Sequence, residues 1–287
     1  MKKIFAVVIL SAFLTPVFSQ NETQTQEPSK PVRQTFGTGI LIENQTVATP
    51  YKGGLELEIH HRFGMITTIK DIFGIYSSAN TRIGLNYGIT DRLMVGIGTT
   101  KDYVLQDIQW KYLILRQTED NKMPVSLSYY GNIVADLRNE SVFGPGEFRQ
   151  IHRLSYFTQF ILARKLNDKF SVQIAPTMVY FNSVPTNPDS TGGYKNFNLG
   201  LSAGLRANLF GAHSLILEYD QLLTKQDIPV QPKPNLSLGW EIGTATHTFQ
   251  VFVTNYNQII GQRNLVYNMN DFTKGNYLFG FNITVRF

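Results

Sequence analysis

The chain contains no cysteine among its 287 residues, and only 16% of those residues are charged. Without thiols there is no disulfide framework to close an exported fold, and no cysteine for a lipid anchor. Long apolar runs are also missing. After the first twenty residues no stretch of 18 apolar residues occurs, which excludes a helical membrane protein. Clustered basic runs are absent too, so the composition gives no footprint for a nucleic-acid partner. What abounds instead is aromatic: 20 Phe and 14 Tyr.

The first residues set the compartment. Lys2 and Lys3 precede an apolar run from Ile4 to Leu14, followed by Pro16-Val17-Phe18-Ser19-Gln20. This pattern predicts a secretory signal peptide over 1–19 with cleavage after Ser19; the run is too short for a membrane-spanning helix. Cleavage removes two of the 26 basic residues and no acid, leaving 24 against 21 acidic, a net of +3 rather than +5. Residues 20–52 then read as a periplasmic leader: Asn21–Val32 is polar and broken by Pro28 and Pro31. Phe36–Thr49 fits either a short strand or a segment folded inward at the base of a barrel, where it would partly plug the lumen.

From Gly53 to Phe287 a different rule holds. The last eleven residues alternate strictly, with Tyr277, Phe279, Phe281, Ile283, Val285 and Phe287 on one face and Leu278, Gly280, Asn282, Thr284 and Arg286 on the other. A soluble sandwich strand shares that pattern. Its length and aromatic face suit a membrane-crossing strand better, and Phe281, Ile283, Val285 and Phe287 have the form of a terminal assembly signal for barrel assembly machinery. Eleven further alternating segments precede it, giving about twelve, with Pro176 in the seventh expected at a bulge. Connectors after even-numbered strands are short, as at Thr90-Asp91-Arg92, at Asn167-Asp168-Lys169 and near Leu209. Those after odd-numbered strands are mostly long, as at Gly64–Asn80, Ser183–Lys195 and Tyr256–Lys274; the one near Lys101 is the exception. Short turns alternating with long loops predict an all-β fold: a transmembrane antiparallel barrel of about twelve strands in the outer membrane of a Gram-negative bacterium.

Particular residues carry a family resemblance. His61-Arg62-Phe63-Gly64, Phe73-Gly74-Ile75 leading to Ser77-Ser78-Ala79-Asn80-Thr81-Arg82, and Tyr87-Gly88-Ile89-Thr90-Asp91-Arg92-Leu93 resemble an uncharacterised β-barrel family of Bacteroidota known only as a domain of unknown function. Asn44-Gln45-Thr46-Val47 fits the same resemblance, which covers nearly all of the mature chain. It implies an outer-membrane barrel and no established activity, so it brings no catalytic residues with it.

Chemistry is sparse. A barrel phospholipase needs His and Ser together at the lipid-level outer rim. His213-Ser214 lies in an expected periplasmic turn with side chains on opposite faces, and His152 near Ser155 reads as an ordinary rim histidine. His60 and His61 point opposite ways, so they do not chelate one ion. A Glu56, Glu58, His60 row could bind a cation, but such rows more often pair with arginines on neighbouring strands. No metal, cofactor or catalytic residue is predicted, and no enzyme. By phase, the lumen candidates are Glu56, Glu58, His60, Arg62, Arg82, Lys111, Arg206, Glu218 and Glu241, with Asp107, Asp220 and Arg286 beside them. Balanced signs there, with Phe157, Ile161, Val179, Phe181 and Phe252 also inward, predict a partly filled interior. The function expected is a narrow pore or small-solute carrier; a non-conducting structural or binding barrel is the alternative. Outer-membrane lipid and the assembly machinery are the expected partners, with the solute unknown. Phe281→Arg should then cost more than Asn282→Arg.

Overall fold

A computed structural model describes residues 29–66, 68, 70, 74–144, 146–185 and 192–287. The signal peptide, its cleavage site and most of the polar leader lie outside the described residues.

Twelve antiparallel strands close into a barrel, each paired with its neighbours in sequence and the last paired with the first. They are β1 (Leu55–Met65), β2 (Asn80–Gly88), β3 (Leu93–Thr100), β4 (Leu105–Leu115), β5 (Ser126–Asp136) and β6 (Leu154–Lys165), then β7 (Phe170–Phe181), β8 (Phe197–Phe210), β9 (His213–Leu222), β10 (Asn235–Gly243), β11 (His247–Thr254) and β12 (Leu278–Arg286). The terminal strand seals the seam, running Glu56↔Arg286 to Arg62↔Gly280 against β1. Closure leaves no strand edge unpaired, which answers the missing disulfides and suits a fold in lipid.

Each strand has period two, but its faces are inverted relative to a soluble protein. In β2 the apolar Ile83, Leu85 and Tyr87 are exposed while Arg82 and Asn86 are buried. Ile97, Ile108, Leu238 and Val251 repeat this around the outside at more than half exposure. Such a surface is stable only against hydrocarbon. The connectors sort by end. β2–β3, β6–β7, β8–β9 and β10–β11 join through two to four residues, and β4–β5 through ten, all at one end. The opposite end carries the loops, of which only β3–β4 is short.

Two details differ from the sequence expectations. Pro176 makes no bulge: the β6–β7 register stays in step from Gln159↔Thr177 to Leu162↔Ile174, and the ladder omits the positions between. An outward-facing proline lacking an N–H costs one ladder bond and no register. The β8–β9 turn falls at Gly211–Ala212 rather than near Leu209, because Gly211 supplies the left-handed φ of 53° that the tight turn needs.

Candidate functional site

The nine lumen candidates all project inward. Arg62 and Lys111 are fully buried, Glu56, Glu58, His60, Arg82, Glu218 and Glu241 nearly so, and Arg206, toward the short-turn end of β8, is partly buried. Most charges meet a partner. Arg82 grips Asp107 at 2.7 and 3.0 Å and reaches Glu58 at 3.3 Å. Arg206 Nε donates to Glu241 at 2.7 Å, and Arg286 lies 3.6 Å from Glu56. Pairing of this kind holds buried ions that hydrocarbon or a dry lumen would otherwise reject. In the Glu56, Glu58, His60 row, Glu56 and Glu58 are therefore taken up by arginines of β12 and β2, while the His60 ring, 3.8 Å from Glu58, makes no hydrogen bond. His61 sits on the opposite, outer face, stacked on Phe281 at 4.9 Å. Similarly, Ser214 is buried in the lumen while His213 accepts from Trp240 outside. His152 bonds the Arg149 main chain rather than Ser155.

Between these walls stands a hairpin. Residues 36–49 enter from the short-turn end and fold back on themselves through Leu41 N to Asn44 O at 2.9 Å and Thr46 N to Gly39 O at 2.9 Å. Phe36, Ile40, Leu41, Ile42 and Val47 are buried. The tip, Ile42-Glu43-Asn44, points three successive main-chain N–H groups at one carboxylate oxygen of Glu218, at 3.2, 3.1 and 2.9 Å. Arg62, toward the long-loop end of β1, returns the grip by donating to Glu43 at 3.0 Å and to the Ile42 carbonyl. Asn282 also donates to that carbonyl at 2.7 Å. Lower down, Lys111 donates to Gly39 O and Gln45 Oε1, both at 2.9 Å, and Arg286 to Gly37 O at 2.8 Å. Among the described residues the hairpin main chain bonds the wall only through wall side chains, never strand to strand.

Ahead of the hairpin, the chain is tied to the β4–β5 turn. Val32 N donates to Gln117 O at 2.8 Å, and Ser29 Oγ to Asp120 at 2.6 Å. Hydrogen bonds from Ser29 and Thr118 hold the Asp120 carboxyl down to about 2.

The other end is closed by the β11–β12 loop, which folds inward as the short helix α1 (Gly261–Tyr267). Its Leu265 and Val266 join the hairpin's Phe36, Leu41 and Ile42 in one apolar cluster with Phe157, Ile161, Val179 and Phe252. Gln262 donates to Asn132 at 2.7 Å, and Tyr256 donates to the second oxygen of Glu218 at 3.0 Å. Arg263 stacks on Tyr103 at 3.5 Å. Periodicity cannot find these residues. α1 spans two turns in a loop, and its buried Gln262 and Asn264 have loop-like composition.

A family model described as a membrane bound beta barrel domain (DUF5777) matches residues 36–287. The chain belongs to this family. The match starts at Phe36, so it takes in the hairpin together with the barrel. No curated protein matches. Among solved structures, the KdgM porin superposes with a TM-score of 0.51 at 8% identity, covering 81% of this chain and 99% of that one. A NanC porin structure gives 0.52 at 7%, covering 80% and 98%. At such identities the likeness is one of fold.

Proposed function

We propose that the protein is a small-solute transport barrel of the outer membrane of a Gram-negative bacterium, shut at rest by its own N-terminal hairpin. The short-turn end faces the periplasm and the long loops face outward. One observation carries this reading: the hairpin is seated by side chains alone, in a lumen whose walls are polar. A plug without ladder bonds to the wall can leave without breaking the barrel. The space it leaves is lined by Arg62, Lys111, Glu218, Asn282 and Gln250, groups that water solvates readily. A purely structural barrel gains nothing from ions buried where apolar residues would pack as well. Among the described residues the hydroxyl–imidazole pair Thr246–His247, 2.8 Å apart, lies exposed at the β10–β11 turn rather than in the lumen, which supports a non-enzymatic role.

Planar bilayer recording under a salt gradient tests it. The full chain should show small, infrequent currents with weak ion selectivity, and deletion of residues 20–49 should open steady conductance. A folded deletion variant that conducts nothing would favour a structural or binding barrel. A large, strongly anion-selective current from the full chain would mean that Arg62, Arg82, Lys111 and Arg206 line an open path unpaired.

A further inference from the structure

The hairpin and the β11–β12 loop do not meet everywhere. Between them lies a cavity of about 30 Å³, lined by His60, Gln109, Tyr130, Asn132, Phe157 and Gln159 on the wall, Asn44 and Gln45 on the hairpin, and Ile259–Gly261 on the loop. A space of that size holds roughly two waters. Its lining contains buried polar atoms with no hydrogen-bond partner: both ring nitrogens of His60 and Oε1 of Gln159. His60 is 2% exposed and Gln159 is 0%. At the edge, Gln262 Oε1 is unpartnered as well, although its amide nitrogen holds Asn132. Orphaned groups at such depth are costly unless something else satisfies them.

The chemistry of the lining narrows what that something is. Imidazole offers one N–H and one acceptor nitrogen, and the two amide oxygens accept, so the unmet demand mixes donors and acceptors. A hydroxyl meets both. The ions that reach this space are already matched, Arg82 to Asp107 and Glu58, and Glu43 to Arg62. An entering ion therefore finds no uncompensated charge. Phe157 and Tyr130, edge to face at 6.0 Å, supply apolar surface for carbon-bound hydrogens. Both covers are chain segments rather than wall strands, so the cavity can enlarge when either moves. We propose that this cavity is an occluded binding site for a small neutral polyol. Such a solute, larger than the closed cavity, enters as Ile259–Gly261 swings outward. The inference rests on the transport reading above and adds the solute class.

Saturation-transfer NMR on the full chain in lipid nanodiscs, with erythritol as the probe, tests it. Wild type and Gln106→Leu, a change outside the lumen, should give the same saturable signal. Gln159→Leu and His60→Phe should bind at least tenfold more weakly. His60 makes no hydrogen bond in the structure, so its loss leaves the hairpin's own contacts intact. Three results overturn the proposal: no saturable signal from wild type, meaning that the cavity holds waters only; equal signals from all four proteins; or displacement by equimolar sodium acetate. Bilayer currents from the 20–49 deletion are read separately. Conductance without erythritol binding defeats the site and keeps the transport reading. Binding without conductance does the reverse.

Discussion

Replacing Glu218 with glutamine probes the grip on the hairpin at its strongest point. One oxygen of this carboxylate accepts from the main-chain N–H groups of Ile42, Glu43 and Asn44, and the other from the Tyr256 hydroxyl. A hydrogen bond to a charged group contributes about 1.5–3 kcal/mol, and a neutral one about 0.5–1.5. Glutamine keeps the shape but removes the charge, and its NH₂ cannot accept from Tyr256. Because three donors share one atom their losses are not additive, so about 3 kcal/mol in total is the reasonable expectation. That is a shift of roughly a hundredfold toward the withdrawn hairpin. The native chain has no cysteine, so Ile42→Cys provides the sole thiol, at the buried tip. Maleimide labelling of that thiol reports the withdrawn population. Comparing Glu218→Gln with Glu218 in this one background should show labelling faster by about two orders of magnitude. Heat-modifiable gel mobility establishes that the barrel itself is intact. A change of less than threefold in a folded barrel would refute the carboxylate's part in seating the hairpin.

Two further outcomes follow from contacts of β12 and of the leader. Phe281→Arg, on the lipid face of β12, should cost about 2–4 kcal/mol of barrel stability if the site is at the bilayer midplane. Asn282→Arg should not be the milder change that alternation alone suggests. Asn282 accepts from Arg62 and donates to Ile42 O and Gln250, so an arginine there meets a like charge and displaces the hairpin. Urea titration in lipid vesicles measures the first, and maleimide labelling of the Ile42→Cys thiol the second. Anchoring of the leader should be insensitive to pH above about 4. The Asp120 carboxyl is held at about 2, below its ordinary 3.8, so its tie to Ser29 is complete above the higher value and is lost as pH falls through the lower. Protease protection of residues 29–35 across that range checks the sign.

The barrel was legible because a membrane strand must repeat every two residues. Arg62, Lys111 and Glu218 are placed on the inner face by phase alone, and the loop lengths separate the two ends. What these residues touch was not legible. The groups that hold the hairpin come from β1, β4, β6, β7, β9, β11 and β12, and only barrel closure brings them together. Phe36, Ile40, Leu41 and Ile42 are apolar enough to suit a strand, and nothing local distinguishes pairing in a sheet from packing inside one. Helix α1 is hidden in the sequence for the opposite reason: Gln262 and Asn264 are polar yet buried, which hydropathy reads as solvent-facing.

The shared carboxylate has a thermodynamic consequence. Glu218 holds the hairpin with one oxygen and the β11–β12 loop at the opposite end, through Tyr256, with the other, so the two closures are linked rather than independent. Anything that draws the outer loop away alters the electron density and freedom of the group that grips the hairpin. By reciprocity, withdrawal of the hairpin must change the stability of the β11–β12 closure by the same factor. A single side chain in β9 thus ties the closure at one end of the barrel to the closure at the other.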